Sequence, residues 1–185
     1  MAASEGFGSW HHLAWRFFGA LSPAGPSASD EAWALGSLLE GEQALWHRMS
    51  GPDRRHAVGV ARDAVRLLAP DDPPRGVIAA ALLHDVGKVS SALGTFSRVG
   101  VTLAAMAVGR RRLVDWAGSG HPRERPSVRT RVGQYLAHDR LGAELLEAAG
   151  SEALTSTWAA EHHLQPARWT VDARVGAALK AADGD

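Results

Sequence analysis

The segment that decides the fold of this 185-residue chain is residues 77–88, VIAAALLHDVGK. Seven apolar residues precede His84 and Asp85, and a helix that is apolar on every side is predicted to be buried. In such surroundings an imidazole and a carboxylate are costly unless they are paired or bind a metal. The only cation in the segment is Lys88, which follows a glycine and is predicted to lie in a loop. We therefore predict a buried helix that ends in a metal-binding pair, with a hydrogen-bonded core pair as the alternative.

Two other segments are predicted to form helices that turn a possible metal ligand towards the core. The first starts at Ser50, a suitable cap because Asp53 follows three residues later. His56 leads the apolar face of this helix, which continues at helical spacing with Val60, Ala64 and Leu67. Near the end of the chain, the same spacing joins Val175, Leu179 and Asp183. Histidine and carboxylate side chains that meet from different helices are typical ligands of a hard-to-borderline divalent metal.

Further histidines lie on two more predicted helices. His138 falls on the inner face of a helix predicted across residues 132–149 and ending at Gly150, unless it is merely a polar residue at a helix contact. Ser151 is a suitable cap for the next helix. There the inner face consists of Leu154, Trp158 and His162. His163 would then point about 100° away, because a helix has 3.6 residues per turn. This spacing favours His162 as the ligand and leaves His163 as a supporting, substrate-binding or surface group.

The candidate ligands follow the order His56, His84, Asp85 and Asp183, and in this the chain resembles the HD superfamily of metal-dependent phosphohydrolases. Gly87 and Lys88 also match that family's His-Asp-x-Gly-Lys form. The resemblance covers roughly residues 45–185. It implies an all-α fold, with an HD-domain helical bundle over residues 30–185. Residues 1–29 would form an N-terminal extension made of a tail, an amphipathic helix and a linker.

The resemblance also implies a dinuclear site. HD proteins with two metals carry two extra histidines in this order, and His138 and His162 match them. Asp85 would bridge two divalent ions, and the remaining ligands of the first ion would be His56, His84 and Asp183. The ligands do not distinguish Fe, Mn, Mg, Zn and Ni. A cyclic-di-GMP-degrading HD-GYP protein is disfavoured, because residues 164–169 lack the Gly-Tyr-Pro signature that follows the paired histidines in that branch.

The implied activity is hydrolysis of a small phosphorylated substrate, by resemblance a nucleotide, through a metal-activated water. Asp85 and Lys88 are the expected catalytic residues. The expected substrate-binding residues are Lys88, His163, Arg110 and Arg112. Two alternatives remain open at this stage. One is a mixed-valent diiron oxygenase, because some HD proteins use the same six ligands for that chemistry. The other is a catalytically silent regulatory module that binds a metal or a nucleotide.

Charge is distributed unevenly although the net charge is zero. Residues 88–131 contain nine basic and two acidic side chains, which indicates either a solvated surface or an electropositive rim suited to phosphate. Within this segment, residues 99–109 are apolar but too short to span a membrane, which takes about 20 residues. They predict a buried helix, with a membrane-contacting helix as the alternative. The zero net charge gives no case for nucleic-acid binding.

The N-terminal third carries less chemistry. Helical spacing predicts an amphipathic helix over residues 10–21 and a second helix from Ser29 or Asp30 to about Met49. These helices are expected to pack on the core, or to form the face of a homodimer. The chain contains no cysteine, which excludes disulfides and thiolate metal sites. With no basic leader at the start, we expect a cytoplasmic protein.

Overall fold

The structure, a computed structural model, describes residues 24–91 and 127–184, except for the side chain of Arg129. Within these ranges it contains helices and no strands, so the predicted all-α class is confirmed. The α-helices are α1 (Ala28–Gly36), α2 (Glu40–Arg48), α3 (Gly51–Leu68), α4 (Arg75–Leu83), α5 (Val128–Leu136), α6 (His138–Ala148), α7 (Ala153–Glu161) and α8 (Ala173–Asp183). The described residues also form 3-10 turns at Val86–Ser90 and Pro166–Arg168.

Helix α4 is the centre of the core, as its apolar sequence predicts. Seven of its nine residues are buried, and Leu82 and Leu83 have no exposed surface. Burying one such side chain contributes about 1.5–3 kcal/mol. Helices α3 and α7 pack against α4, α8 packs against α3, and α6 packs against α7 and the Val86–Ser90 turn. This arrangement brings the ends of α4, α7 and α8 to the same region as the starts of α3 and α6.

The helix predicted from residue 30 to Met49 is in fact two helices. Its cap is Ser27, whose hydroxyl accepts from the Asp30 amide, and not Ser29 or Asp30. The break at residues 37–39 is stabilised by the Glu42 carboxylate, which accepts from the Leu39 amide at 2.8 Å. Glu42 is itself buried and paired with Arg75. The prediction was wrong because helical spacing continues across a break that a bond between residues 39 and 42 caps.

The helix predicted over residues 132–149 is also broken. Residue Ala137 leaves helical geometry, with φ −104° and ψ 19°, and separates α5 from α6. The predicted cap Ser151 is not used, because α7 begins after Glu152 without a side-chain cap bond. On α3 the cap Ser50 is confirmed, but Leu67 is 54% exposed and Leu68 is buried in its place.

Several predictions concern residues outside the described ranges. They are the amphipathic helix at 10–21, the apolar segment 99–109, and the basic residues Arg110 and Arg112. The division of the chain at residues 29 and 30 and the homodimer face stay predictions. In the part of the chain that is described, no helix combines the length and apolar character needed to cross a bilayer.

Candidate metal centre

Three histidines at helix boundaries share one hydrogen-bonding arrangement. His84 and His162 follow the last residues of α4 and α7, and His138 is the first residue of α6. Each Nδ1 lies within 2.9 Å of the carbonyl oxygen three residues earlier, which belongs to Ala81, Ala159 or Tyr135. A carbonyl can only accept, so each Nδ1 carries the proton. In the neutral ring Nε2 then presents a lone pair, as in the tautomer that binds metals.

Asp85 lies between these Nε2 atoms. Its Oδ2 is 3.4 Å from His84 Nε2, and its Oδ1 is 3.3 Å from His138 Nε2 and 3.9 Å from His162 Nε2. The carboxylate is 7% exposed. Its two oxygens thus face different histidines, His84 on one side and His138 and His162 on the other.

The first group, cluster 1, consists of His56, His84 and Asp183. The Oδ1 of Asp183 is 3.0 Å from His56 Nε2 and 3.7 Å from His84 Nε2. One ligand atom from each residue lies within 4.8 Å of the others. The sequence predicted all three as inward-facing ligands. His84 and Asp183 are buried, whereas the His56 side chain is 36% exposed and lies at the edge of the cluster.

The second group, cluster 2, consists of His138, His162 and His163, again with ligand atoms within 4.8 Å of one another. The expectation that His163 points away is wrong. Its Nε2 lies 3.2 Å from that of His138, although the residue is exposed. His162 still has helical backbone angles, φ −57° and ψ −22°, so the helical rotation reaches His163. The His163 imidazole contacts His138 all the same, from just beyond the end of α7.

Electrostatics distinguish the two clusters. Burial alone would lower the pKa of His84, but the Asp85 and Asp183 carboxylates outweigh it and raise that pKa to about 9. Burial lowers the pKa of His162 to about 2, together with repulsion from positive charge on the nearby His84 and His163 rings. Burial favours a protonated Asp85, yet Lys88 and His84 hold its pKa well below the usual range. The carboxylates of Asp85 and Asp183 therefore favour positive charge at cluster 1. The His162 ring in cluster 2, by contrast, stays uncharged at neutral pH.

The donor atoms suit a metal ion. His162 Nε2 is buried and has no hydrogen-bond partner, and leaving such an atom unpaired costs about 1–3 kcal/mol. A cation would satisfy it without a proton. Imidazole nitrogens and carboxylate oxygens, without thiolates, are ligands for borderline divalent metals such as Zn, Fe, Ni and Mn. The two clusters could therefore each hold a metal ion, with Asp85 available to both.

Lys88 lies beside this centre. It belongs to the Val86–Ser90 3-10 turn, where a loop was predicted, and its ammonium contacts Asp85 Oδ2. Burial would lower the pKa of Lys88, but the Asp85 carboxylate raises it, so the side chain is a permanent cation. Its side chain is 21% exposed.

Two glycines, Gly87 and Gly142, allow the Val86–Ser90 turn to lie close to α6, the helix that carries His138. This contact was not predicted from the sequence. A Cβ atom built on Gly87 would lie 1.8 Å from the His138 carbonyl oxygen and 2.6 Å from the Gly142 amide nitrogen. Only a glycine allows the Val86–Ser90 turn to approach α6 this closely. The signal available in the sequence was the Gly-Lys that follows the His-Asp pair, with Gly142 four residues after His138.

Comparison with known proteins gave no match: no family model fits the chain, and no curated protein and no solved structure matches it. The resemblance to HD proteins therefore rests on the residues described above.

Proposed function

We propose that this chain is an HD-type phosphohydrolase that uses two divalent metal ions to hydrolyse a small phosphorylated substrate, by resemblance a nucleotide. The observation that carries the proposal is the position of Asp85, whose two carboxylate oxygens face cluster 1 and cluster 2 separately. Two metal ions that share a ligand would activate water and neutralise charge that develops on a phosphoryl group.

Hydrogen bonds within the protein fix the orientation of the ligands. The proton on each Nδ1 locks the rings of His84, His138 and His162 with Nε2 directed inward. Such outer partners orient a ligand and raise its basicity. His56 and Asp183 complete cluster 1, and His163 is close enough to complete cluster 2. We therefore extend its expected role from substrate binding to metal binding.

The positive charge of the metal-loaded centre favours an anionic substrate. Two divalent ions carry more positive charge than the carboxylates of Asp85 and Asp183 neutralise, and Lys88 adds a further cation. An ammonium has three donors on a flexible stem. Lys88 can therefore keep its contact with Asp85 and donate to one phosphate oxygen. Arg110 and Arg112 remain proposed contributors to phosphate binding.

The test is a screen of phosphorylated metabolites against the metal-stripped chain reloaded with Mg, Mn, Fe, Zn or Ni. We expect phosphate release with at least one metal. Asp85→Asn should abolish the release and deplete both metals, because it removes the charge of the shared ligand. Asp63→Asn, a change on the outer surface of α3, is the matched control and should leave both unchanged.

The same screen separates the alternative functions. Oxygen uptake with iron and no phosphate release would indicate the oxygenase. Full metal content in Asp85→Asn would contradict the shared ligand. A wild-type chain that holds no metal would support the silent binding module.

A further inference from the structure

The chain contains only two lysines among its 20 basic residues, and each contacts a residue of the metal centre. Lys88 contacts Asp85, as described. Lys180 Nζ donates to the carbonyl oxygen of His162 at 3.0 Å. The remaining cationic side chains are arginines. The two ammonium groups of the chain thus contact the centre in different ways, Lys88 through a side chain and Lys180 through the backbone.

Lys180 connects the two clusters through the backbone. It lies on α8, three residues before Asp183, so the same helix supplies a ligand to cluster 1. Its acceptor is the carbonyl of His162, the residue that follows α7 and supplies a ligand to cluster 2. The hydrogen bond therefore ties the backbone of one cluster to the helix that carries part of the other.

The backbone at His162 needs such a partner. The last carbonyl oxygens of a helix accept no hydrogen bond from within the helix, and a cation near them is stabilising. On the other side, the buried Glu161 carboxylate accepts from the Thr170 amide and hydroxyl, both at 2.7 Å. The loop after α7 is thus held by Glu161, and its first carbonyl is held by Lys180.

The chemistry of this contact favours lysine over arginine. A single carbonyl oxygen offers no match to the planar fork of a guanidinium, which suits carboxylates and phosphates. A compact ammonium on a flexible stem can donate to one oxygen from a half-buried position, such as that of Lys180.

We propose that Lys180 is a positioning residue of the metal centre, which holds His162, and with it cluster 2, at a set distance from Asp183 and cluster 1. The inference rests on the proposed two-metal function. Removing an outer partner of a metal ligand typically weakens metal binding roughly 10–100-fold. We expect this loss at cluster 2, whereas cluster 1 keeps its affinity because Lys180 does not contact its ligands.

The experiment titrates the metal-stripped full chain with Co²⁺, followed by visible absorption and by metal analysis. Lys180→Met keeps the aliphatic stem and removes the donor. Arg174→Met is the matched control, because Arg174 also lies on α8 and donates to the terminal carbonyl of another helix, that of Leu68 in α3. Lys180→Arg tests rescue and guards against a Met variant that fails to fold.

We expect the first Co²⁺ to bind Lys180→Met as it binds the wild type, and the second to bind about 10–100-fold more weakly. Lys180→Arg should recover part of the loss, and Arg174→Met should bind both ions normally. Equal weakening of both ions in Lys180→Met, or the same loss in Arg174→Met, would overturn the positioning role. So would unchanged binding in Lys180→Met, which leaves the two-metal function intact. No Co²⁺ binding by the wild type would overturn the metal centre itself.

Discussion

Replacing Gly87 with alanine tests how closely the Val86–Ser90 turn must approach α6. The new Cβ atom would lie 1.8 Å from the His138 carbonyl oxygen, whereas an ordinary contact begins at 3.4 Å, so the two backbones must separate by about 1.6 Å. The nearest atoms belong to the backbone and cannot rotate away. The movement must therefore carry the whole turn, including the flanking Asp85 and Lys88, away from His138.

The expected effects are large for both stability and metal binding. Overpacking typically costs 1–3 kcal/mol, and the upper end applies here because backbone must move. A loss of about 3 kcal/mol corresponds to a fall in melting temperature of roughly 6–12 °C in a chain of this size. Metal–ligand distances tolerate only about 0.2 Å. A separation several times larger should therefore remove the ion that Asp85 shares with His138.

The assay combines thermal unfolding with metal analysis of purified Gly87→Ala. The matched control is Gly59→Ala, since Gly59 is exposed on α3 and a Cβ atom there would meet nothing within 4 Å. This control should be stabilised by about 0.5–1 kcal/mol, because glycine weakens a helix interior relative to alanine. A Gly87→Ala protein with two metals and an unchanged melting temperature would refute the reasoning.

Three further predictions follow from the centre. His162→Ala should lose the cluster 2 ion and retain the cluster 1 ion, which metal analysis would detect; equal loss of both ions would count against two separable clusters. Lys88→Met should retain both metals and lower turnover of the true substrate by about 10²–10³-fold, as for one transition-state donor; metal loss would instead indicate a structural lysine. The metal-free chain should be most stable near pH 6.5, measured by denaturant unfolding at pH 5, 6.5 and 9. The pKa of about 9 for His84 gives stability that is complete below pH 6.5 and is lost towards pH 9, whereas the pKa of about 2 for His162 gives stability that is lost as the pH falls below 6.5. A steady rise in stability from pH 5 to pH 9 would contradict this assignment.

Local patterns in the sequence predicted much of the framework. The apolar run before His84 predicted the buried α4, the Ser50 cap predicted the start of α3, and the spacing to Asp183 predicted the inner face of α8. These features depend on neighbours within one or two helical turns. Period and capping are therefore sufficient to predict them.

Other features depended on distant partners. The break between α1 and α2 involves Glu42 and Arg75, which are 33 residues apart in sequence. His163 joined cluster 2 because its ring reaches that of His138, which lies 25 residues away in sequence. A helical projection gives the direction of a side chain on its own helix, so it cannot predict which distant side chain lies within reach.

The sequence by itself determined the all-α class, the burial of α4 and the order of the candidate ligands, because each of these depends on residue type and local spacing. Only the tertiary structure decided that Asp85 faces two clusters, that Gly87 lets the turn contact α6, and that Lys180 holds His162. These contacts join segments that are distant in sequence. Their distances depend on how the helices pack, which no local pattern specifies.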